Sequence, residues 1–165
     1  MQDLLDQIRT ANQANLFYVA LMSALAIPDV CGALESPDGQ ARRERYAEWF
    51  DRHVASSYRG TLTGLDCYYF RCSMLHQGRT HHPASSFARI FFIEPTATGN
   101  VFHNNVINDA LNIDVRIFVN DLVIAAERWL AAASGTPEFR ANSPLFVSRY
   151  ANGLPPYIIG VPIIG

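Results

Sequence analysis

The sequence predicts a mainly α fold: a helical bundle of four to five main helices, with a small inserted β-hairpin and an extended C-terminal tail. Three observations predict it. Apolar residues step by three and four through residues 112–134, the spacing of one face of a helix. Residues 63–79 are apolar on nearly every side yet are bounded by helix-start and helix-stop residues. Strand-forming residues are confined to short runs within residues 88–107. At 165 residues, with 49% hydrophobic and 17% charged, the chain is long enough to bury a substantial core and lacks a disordered composition. It is read as one domain over 1–165, in which 136–165 form an extension packed on that domain or on a partner subunit.

The elements follow in order. Residues 2 to about 26 read as one long helix, with Leu5, Ile8, Val19, Met22 and Ala26 on an apolar stripe that also holds Asn12 and Asn15. Two amides on such a stripe either hydrogen-bond within the bundle or at a polar interface, or lie beside a functional site. Pro28 stops or kinks this helix, and PDVCGALE makes a short turn of helix before the loop SPDG. From about Gln40 to Val54, Tyr46, Trp49, Phe50 and His53 form a core stripe opposite Arg42, Arg43, Glu44 and Glu48. His53 there reads as a core histidine. Arg42, Arg43 and Arg45 read as a solvated face with nearby Glu partners, or as a grip for phosphate.

After the loop RTHHPASS, the runs ARIFFIE and NVFHNNVI are expected to pair as a hairpin through PTATG. His81, His82 and His103 have no Cys or acidic companions at zinc-ligand spacing, so neither a metal nor a cofactor is expected. Asn112 is expected to cap a long helix on which Val115, Phe118, Leu122, Ala125 and Trp129 share a face, with Gly135 and Pro137 ending it. The tail NGLPPYIIGVPIIG is uncharged and broken by three prolines. Left free it would be insoluble, so Tyr157, Ile158, Ile159 and Val161 are expected to be buried in a groove of the domain or of a neighbouring subunit.

A formal charge of −2 leaves any nucleic-acid contact to a local patch, and the absence of lysine removes Schiff-base chemistry and P-loop phosphate binding. Arginine is the only permanent side-chain cation. Cys31, Cys67 and Cys72 sit in apolar contexts and are odd in number, which fits reduced thiols and a cytoplasmic protein. The N-terminus has no positive n-region and the run from Leu16 to Ile27 is too short to cross a bilayer, so no membrane attachment is expected.

The stretch TGLDCYYFRCSMLHQGR, residues 63–79, is the centre of the functional reading. Thr63 with Asp66 three residues on resembles a capping box, and Gly78 marks the end. Arg71 lies among apolar neighbours. On a helix at about 100° per residue Cys72 and His76 share a face, while Arg71 and His76 stand about 140° apart. They converge only if the arginine bends or a second copy of the helix completes the site.

The segment RCSMLH, an arginine, four residues and a histidine on an apolar helix, resembles the motif of the HEPN family (higher eukaryotes and prokaryotes nucleotide-binding). The resemblance implies an all-helical bundle that dimerises through the motif helix. In many members it also implies a metal-independent ribonuclease of toxin or antiviral-defence systems, with an antitoxin as partner. Arg71 and His76 are the carried-over catalytic pair, and Cys72, Ser73, Gln77, Arg79, Asn12 and Asn15 are candidates to bind or support the site. The sequence departs from the family at Cys72, where active members usually have Asn, Asp or His. Two functions therefore compete. In one, a homodimer cleaves RNA, with His76 moving the proton of a 2′-hydroxyl and Arg71 holding the phosphate. In the other, the bundle is an inert dimeric binding or interaction module or a nucleotide-responsive subunit of a larger system, with Arg71 paired to Asp66 or to a carboxylate on another helix and His76 a hydrogen-bonded core residue.

Overall fold

The computed structural model describes residues 1–95 and 101–165, and the fold is mainly α with a few small strands. The long helix expected over residues 2 to about 26 is two shorter ones, α1 (Gln2–Gln13) and α2 (Phe17–Leu25), and the short helical turn expected at PDVCGALE is α3 (Ile27–Leu34). The first break is made by Asn15, whose φ of 59° places it in the left-handed region that asparagine tolerates. Its N–H bonds Asn12 O and the N–H of Leu16 reaches back to Ala11 O, a Schellman ending with Asn in the place usually held by Gly. Pro28 stands in the first turn of α3, where its missing N–H costs no helical bond.

These two helices make up the apolar stretch Phe17–Leu34. By length (18 residues) and mean hydropathy (1.7) it could cross a membrane, but half of it is buried within the chain.

Helix α4 (Arg43–His53) turns its Tyr46, Ala47, Trp49 and Phe50 face inward as expected. Its three neighbouring arginines are neutralised: Asp38 pairs with both Arg42 and Arg45, and Glu44 with Arg43. His53 is half-buried against the Trp49 ring, 5.0 Å between centroids, and burial lowers its pKa.

Helix α5 (Gly64–Gln77) starts where α4 ends. Its Gly64 N–H donates to Asp51 Oδ1 at 2.7 Å. A Cβ on Gly64 would stand 2.2 Å from the Ala47 carbonyl oxygen, so only glycine lets the two backbones approach this closely.

The strands depart from the expected hairpin. β1 (Arg89–Ile93) pairs in parallel with β3 (Ala110–Asp114), and β2 (Asn105–Ile107) pairs antiparallel with β3, giving the order β1-β3-β2. The hairpin is β2–β3, closed by Asn108 and Asp109, both at positive φ as a two-residue I′ turn requires. The expected connection PTATG lies, after Pro95, outside the described residues. Asn112 is consequently not a helix cap. It is buried in β3 and bonds Ala110 O, while Asp114 caps α6 (Val115–Ala133) by accepting from the N–H groups of Arg116 and Ile117.

Helix α6 runs through the core. Val115, Phe118, Leu122, Ala125 and Trp129 are buried as the periodicity requires, against α1 and α2 and more lightly α3 and α4. Trp129 meets Trp49 edge to face and donates its indole N–H to Glu35 at 2.7 Å.

After α7 (Pro137–Asn142), fastened to the end of α3 by Asn142 Nδ2, the tail pairs with itself. β4 (Arg149–Tyr150) meets β7 (Ile163–Ile164), and β5 (Gly153–Leu154) meets β6 (Ile158–Ile159). The expected burial is not found within the chain. Tyr157 is 85% exposed and Ile159 73%, with Ile158 and Val161 also exposed, because the tail meets its backbone hydrogen bonds internally and lays no face on the core.

Candidate functional site

The capping of α5 is half of the box expected from sequence. Thr63 Oγ1 accepts from the Asp66 N–H, but Asp66 does not reach back to the Thr63 backbone: one oxygen accepts the Thr63 hydroxyl at 2.7 Å and the other the Ser86 N–H at 2.9 Å. Asp66 is thereby consumed in fixing α5 to the loop before β1, and it is not the partner of Arg71.

The all-round burial expected for α5 is also corrected. Gly64, Asp66, Cys67, Phe70 and Ser73 form one buried stripe, with the Cys67 thiol against Tyr46 Oη and pushed up to about 12 by burial. Tyr68, Tyr69, Arg71, Cys72, Met74 and Leu75 are only partly covered, Leu65 is exposed, and so is His76. A low-polarity sequence thus produced a one-sided helix, because within this chain the neighbouring helices reach only one side.

On that open side Arg71 and His76 meet within one helix. Arg71 Nη1 lies 3.2 Å from His76 Nε2, so the arginine bends along the helix and no second copy is needed to bring them together. A guanidinium can only donate, so His76 Nε2 must present its lone pair and Nδ1 carries the ring proton. Nη2 lies 2.6 Å from Oδ2 of Asp29, in the first turn of α3. The Arg71 side chain is 20% exposed and that of Asp29 13%. Burial pushes the Asp29 carboxyl above its ordinary range, opposed by Arg71 and more weakly by His76. Arg71 also stands 6.0 Å over the Tyr68 ring and 3.8 Å from the Cys72 thiol, and its buried Nε has no partner. The constellation is therefore a fixed guanidinium with a free Nε and an exposed neutral imidazole beside it.

The other candidates divide. Ser73, Gln77 and Arg79 line a cleft at the C-terminal end of α5, together with His81, His82 and Arg89. Asn12 and Asn15 are elsewhere. Asn12 is buried and donates to Arg116 O and Asn120 Oδ1 of α6, both at 3.2 Å, and Asn15 makes the turn after α1. The bundle-bonded alternative for Asn12 is the one the fold adopts.

Asp29 was not singled out by sequence, because an acidic residue after a proline reads simply as first-turn capping. Nor were Tyr68 and Arg89. His81 and His82 drew notice only as metal ligands, although the doublet follows Arg79 after one residue, a concentration of donors that could have marked the cleft.

The chain matches no family model, no curated protein and no solved structure.

Proposed function

We propose that this protein is a HEPN-like, metal-independent endoribonuclease, built on a helical bundle of four to five main helices and acting as a homodimer in a toxin or defence system. The observation that carries the reading is the 3.2 Å approach of Arg71 to an exposed His76. It joins the two residue types that RNA cleavage without a metal requires, an invariant cation for the phosphate and a base that titrates near neutrality.

The free geometry suggests how substrate starts the reaction. Arg71 Nη1 occupies the His76 lone pair, and a phosphodiester oxygen arriving at the guanidinium replaces the imidazole as acceptor. Nε2 is released to take the 2′-hydroxyl proton. The 2′-oxygen then bonds to phosphorus as the bond to the 5′-oxygen breaks, and His76 returns the proton to that leaving oxygen. The products are a 2′,3′-cyclic phosphate and a 5′-hydroxyl. Arg71 holds the charge that develops on the phosphoryl oxygens.

Purified protein should cleave single-stranded RNA in EDTA and leave DNA intact, since the nucleophile is the 2′-hydroxyl. His76→Ala should lose about 10²-fold or more in rate, and Arg71→Lys should recover little of what Arg71→Ala loses. Cys72→Asn, which supplies the residue type usual after the arginine, should cleave at least as well as wild type. Intact RNA with both wild type and Cys72→Asn, each folded, would overturn the ribonuclease.

A second reading has its own observation. The Asp29–Arg71 pair is the carboxylate-on-another-helix arrangement expected of an inert binding module. Both readings include a dimer, which the half-covered Tyr68, Tyr69 and Leu75 and the exposed tail support. Light scattering should give a dimer mass at micromolar concentration, and a monomer would count against the subunit contact in both.

A further inference from the structure

The cleft beyond the last turn of α5 is lined by Ser73, Gln77, Arg79, His81, His82 and Arg89 and has a volume of about 760 Å³. Among the described residues no carboxylate lines it. Neither Arg79 nor Arg89 has an acidic partner within 4.0 Å among the described residues, a state they share with Arg59, Arg116, Arg128, Arg140 and Arg149, but of these only Arg79 and Arg89 line the cleft. The two cations also come from separate elements, Arg79 from the end of α5 and Arg89 from the first position of β1. The helix end accounts for one of them at most.

One of the rings lining the cleft, His82, is backed by Tyr69, which lies behind the lining. His82 stacks on Tyr69 with centroids 4.6 Å apart and planes 12° from parallel. Its Nδ1 accepts the Ala84 N–H at 3.1 Å, which leaves the ring proton on Nε2 as a donor. His81 is held by its Nδ1 against Ala88 O at 3.0 Å, so the loop that carries both rings is tied at two points. Around α5, Ser73 and Gln77 stand about 60–100° from His76 and about 120–160° from Arg71. The cleft therefore adjoins the Arg71–His76 pair without containing it.

We propose that this cleft is a binding subsite for one or two nucleotides of single-stranded RNA, flanking the cleavage site. Arg79 and Arg89 take the phosphates, the Tyr69–His82 stack offers a platform to a base, and Gln77 supplies a side-chain amide for a base edge. A single strand fits because its bases are free to stack, whereas those of a duplex are already stacked on one another. The ligand's identity rests on the ribonuclease reading, but occupancy of the cleft does not require that any bond be cut.

The test is fluorescence anisotropy of a labelled single-stranded oligoribonucleotide in EDTA, on the full chain carrying His76→Ala so that the probe stays intact, over a series of salt concentrations. Adding Arg79→Ala and Arg89→Ala should weaken binding about tenfold or more and lower the salt slope by about 1.4, two phosphate contacts at about 0.7 each. Arg79→Lys with Arg89→Lys should keep the slope, since an ammonium still binds phosphate as a point charge. Equal affinity for single-stranded DNA of the same sequence supports a phosphate-and-stacking subsite. Preference for duplex RNA, an unchanged slope in the double-alanine protein, or no binding at any salt overturns it. Salt-linked binding that depends on Arg79 and Arg89, together with a wild type that never cleaves, would uphold the cleft and remove the ribonuclease. Cleavage that is indifferent to both arginines would do the reverse.

Discussion

The two sides of α5 obey different rules. Along one side Gly64, Cys67, Phe70 and Ser73 are buried, and the charged residue among them, Asp66, has both oxygens occupied, by the Thr63 hydroxyl and the Ser86 N–H. Along the other, Arg71 keeps an unpaired Nε, His76 faces solvent, and the nearest carboxylate is itself pushed above its ordinary pKa range by burial. The covered side maximises contact and hydrogen-bond satisfaction, which is how a helix contributes to stability. The open side sets an exposed imidazole against a guanidinium whose contacts a ligand can replace, which is what a site needs in order to gain from binding. If this contrast is right, equal truncations on the two sides have unequal effects on folding.

The largest effect is expected at Phe70, whose ring packs 5.0 Å from that of Phe92 and joins α5 to the sheet. Phe70→Ala removes a ring that is 4% exposed and should cost about 3–5 kcal/mol in chemical denaturation. A loss under about 1 kcal/mol would mean that α5 is not seated as described. Asp66→Ala comes next, at about 1–3 kcal/mol, because it removes the charged acceptor of both the Ser86 N–H and the Thr63 hydroxyl. Asp66→Asn should recover part of this, since its carbonyl oxygen still accepts one of the two bonds.

Much of this contrast lies beyond what the sequence states. The caps of α5, the inward stripe of α4 and the buried face of α6 were legible because they depend on local spacing and on residue types with strong positional meaning. The number of sides a helix buries depends on its neighbours, which is why the uniformly apolar α5 read as enclosed. The parallel β1–β3 pair was hidden for a similar reason. Partners so far apart in sequence give no local turn signal, and Asn112 in β3 looked like a cap because its side chain does bond backbone, only within a strand. The tail misled through composition. Its apolar residues suggested burial, but Gly153 and Gly160 at positive φ fold it into self-paired loops whose backbone is satisfied without the core. At the site, Arg71, His76, Ser73, Gln77 and Arg79 were legible from one helix and its exit. Asp29 and Arg89, brought in from α3 and β1, were not.

The smallest effect on stability, and the most informative for function, is expected at Asp29. Its carboxyl is raised, so the folded protein holds that proton more tightly than the unfolded chain does. This group's contribution to stability is therefore fully present below the unfolded carboxylate pKa and is lost as pH rises through the raised folded value. By neutral pH the ionised carboxylate loses more to burial than it recovers from Arg71. Asp29→Asn should then change stability at pH 7 by about 1 kcal/mol or less, because Arg71 keeps the His76 contact and the face of Tyr68 and remains one-fifth exposed. Thermal melts should show that the variant lacks the decline in stability between the ordinary carboxylate range and the raised Asp29 value. The same substitution frees Nη2 for a phosphate, so RNA affinity, and on the ribonuclease reading cleavage, should rise. A loss of several kcal/mol with weakened RNA binding would show instead that the Asp29–Arg71 pair is structural and that the open side of α5 is held together as tightly as the covered one.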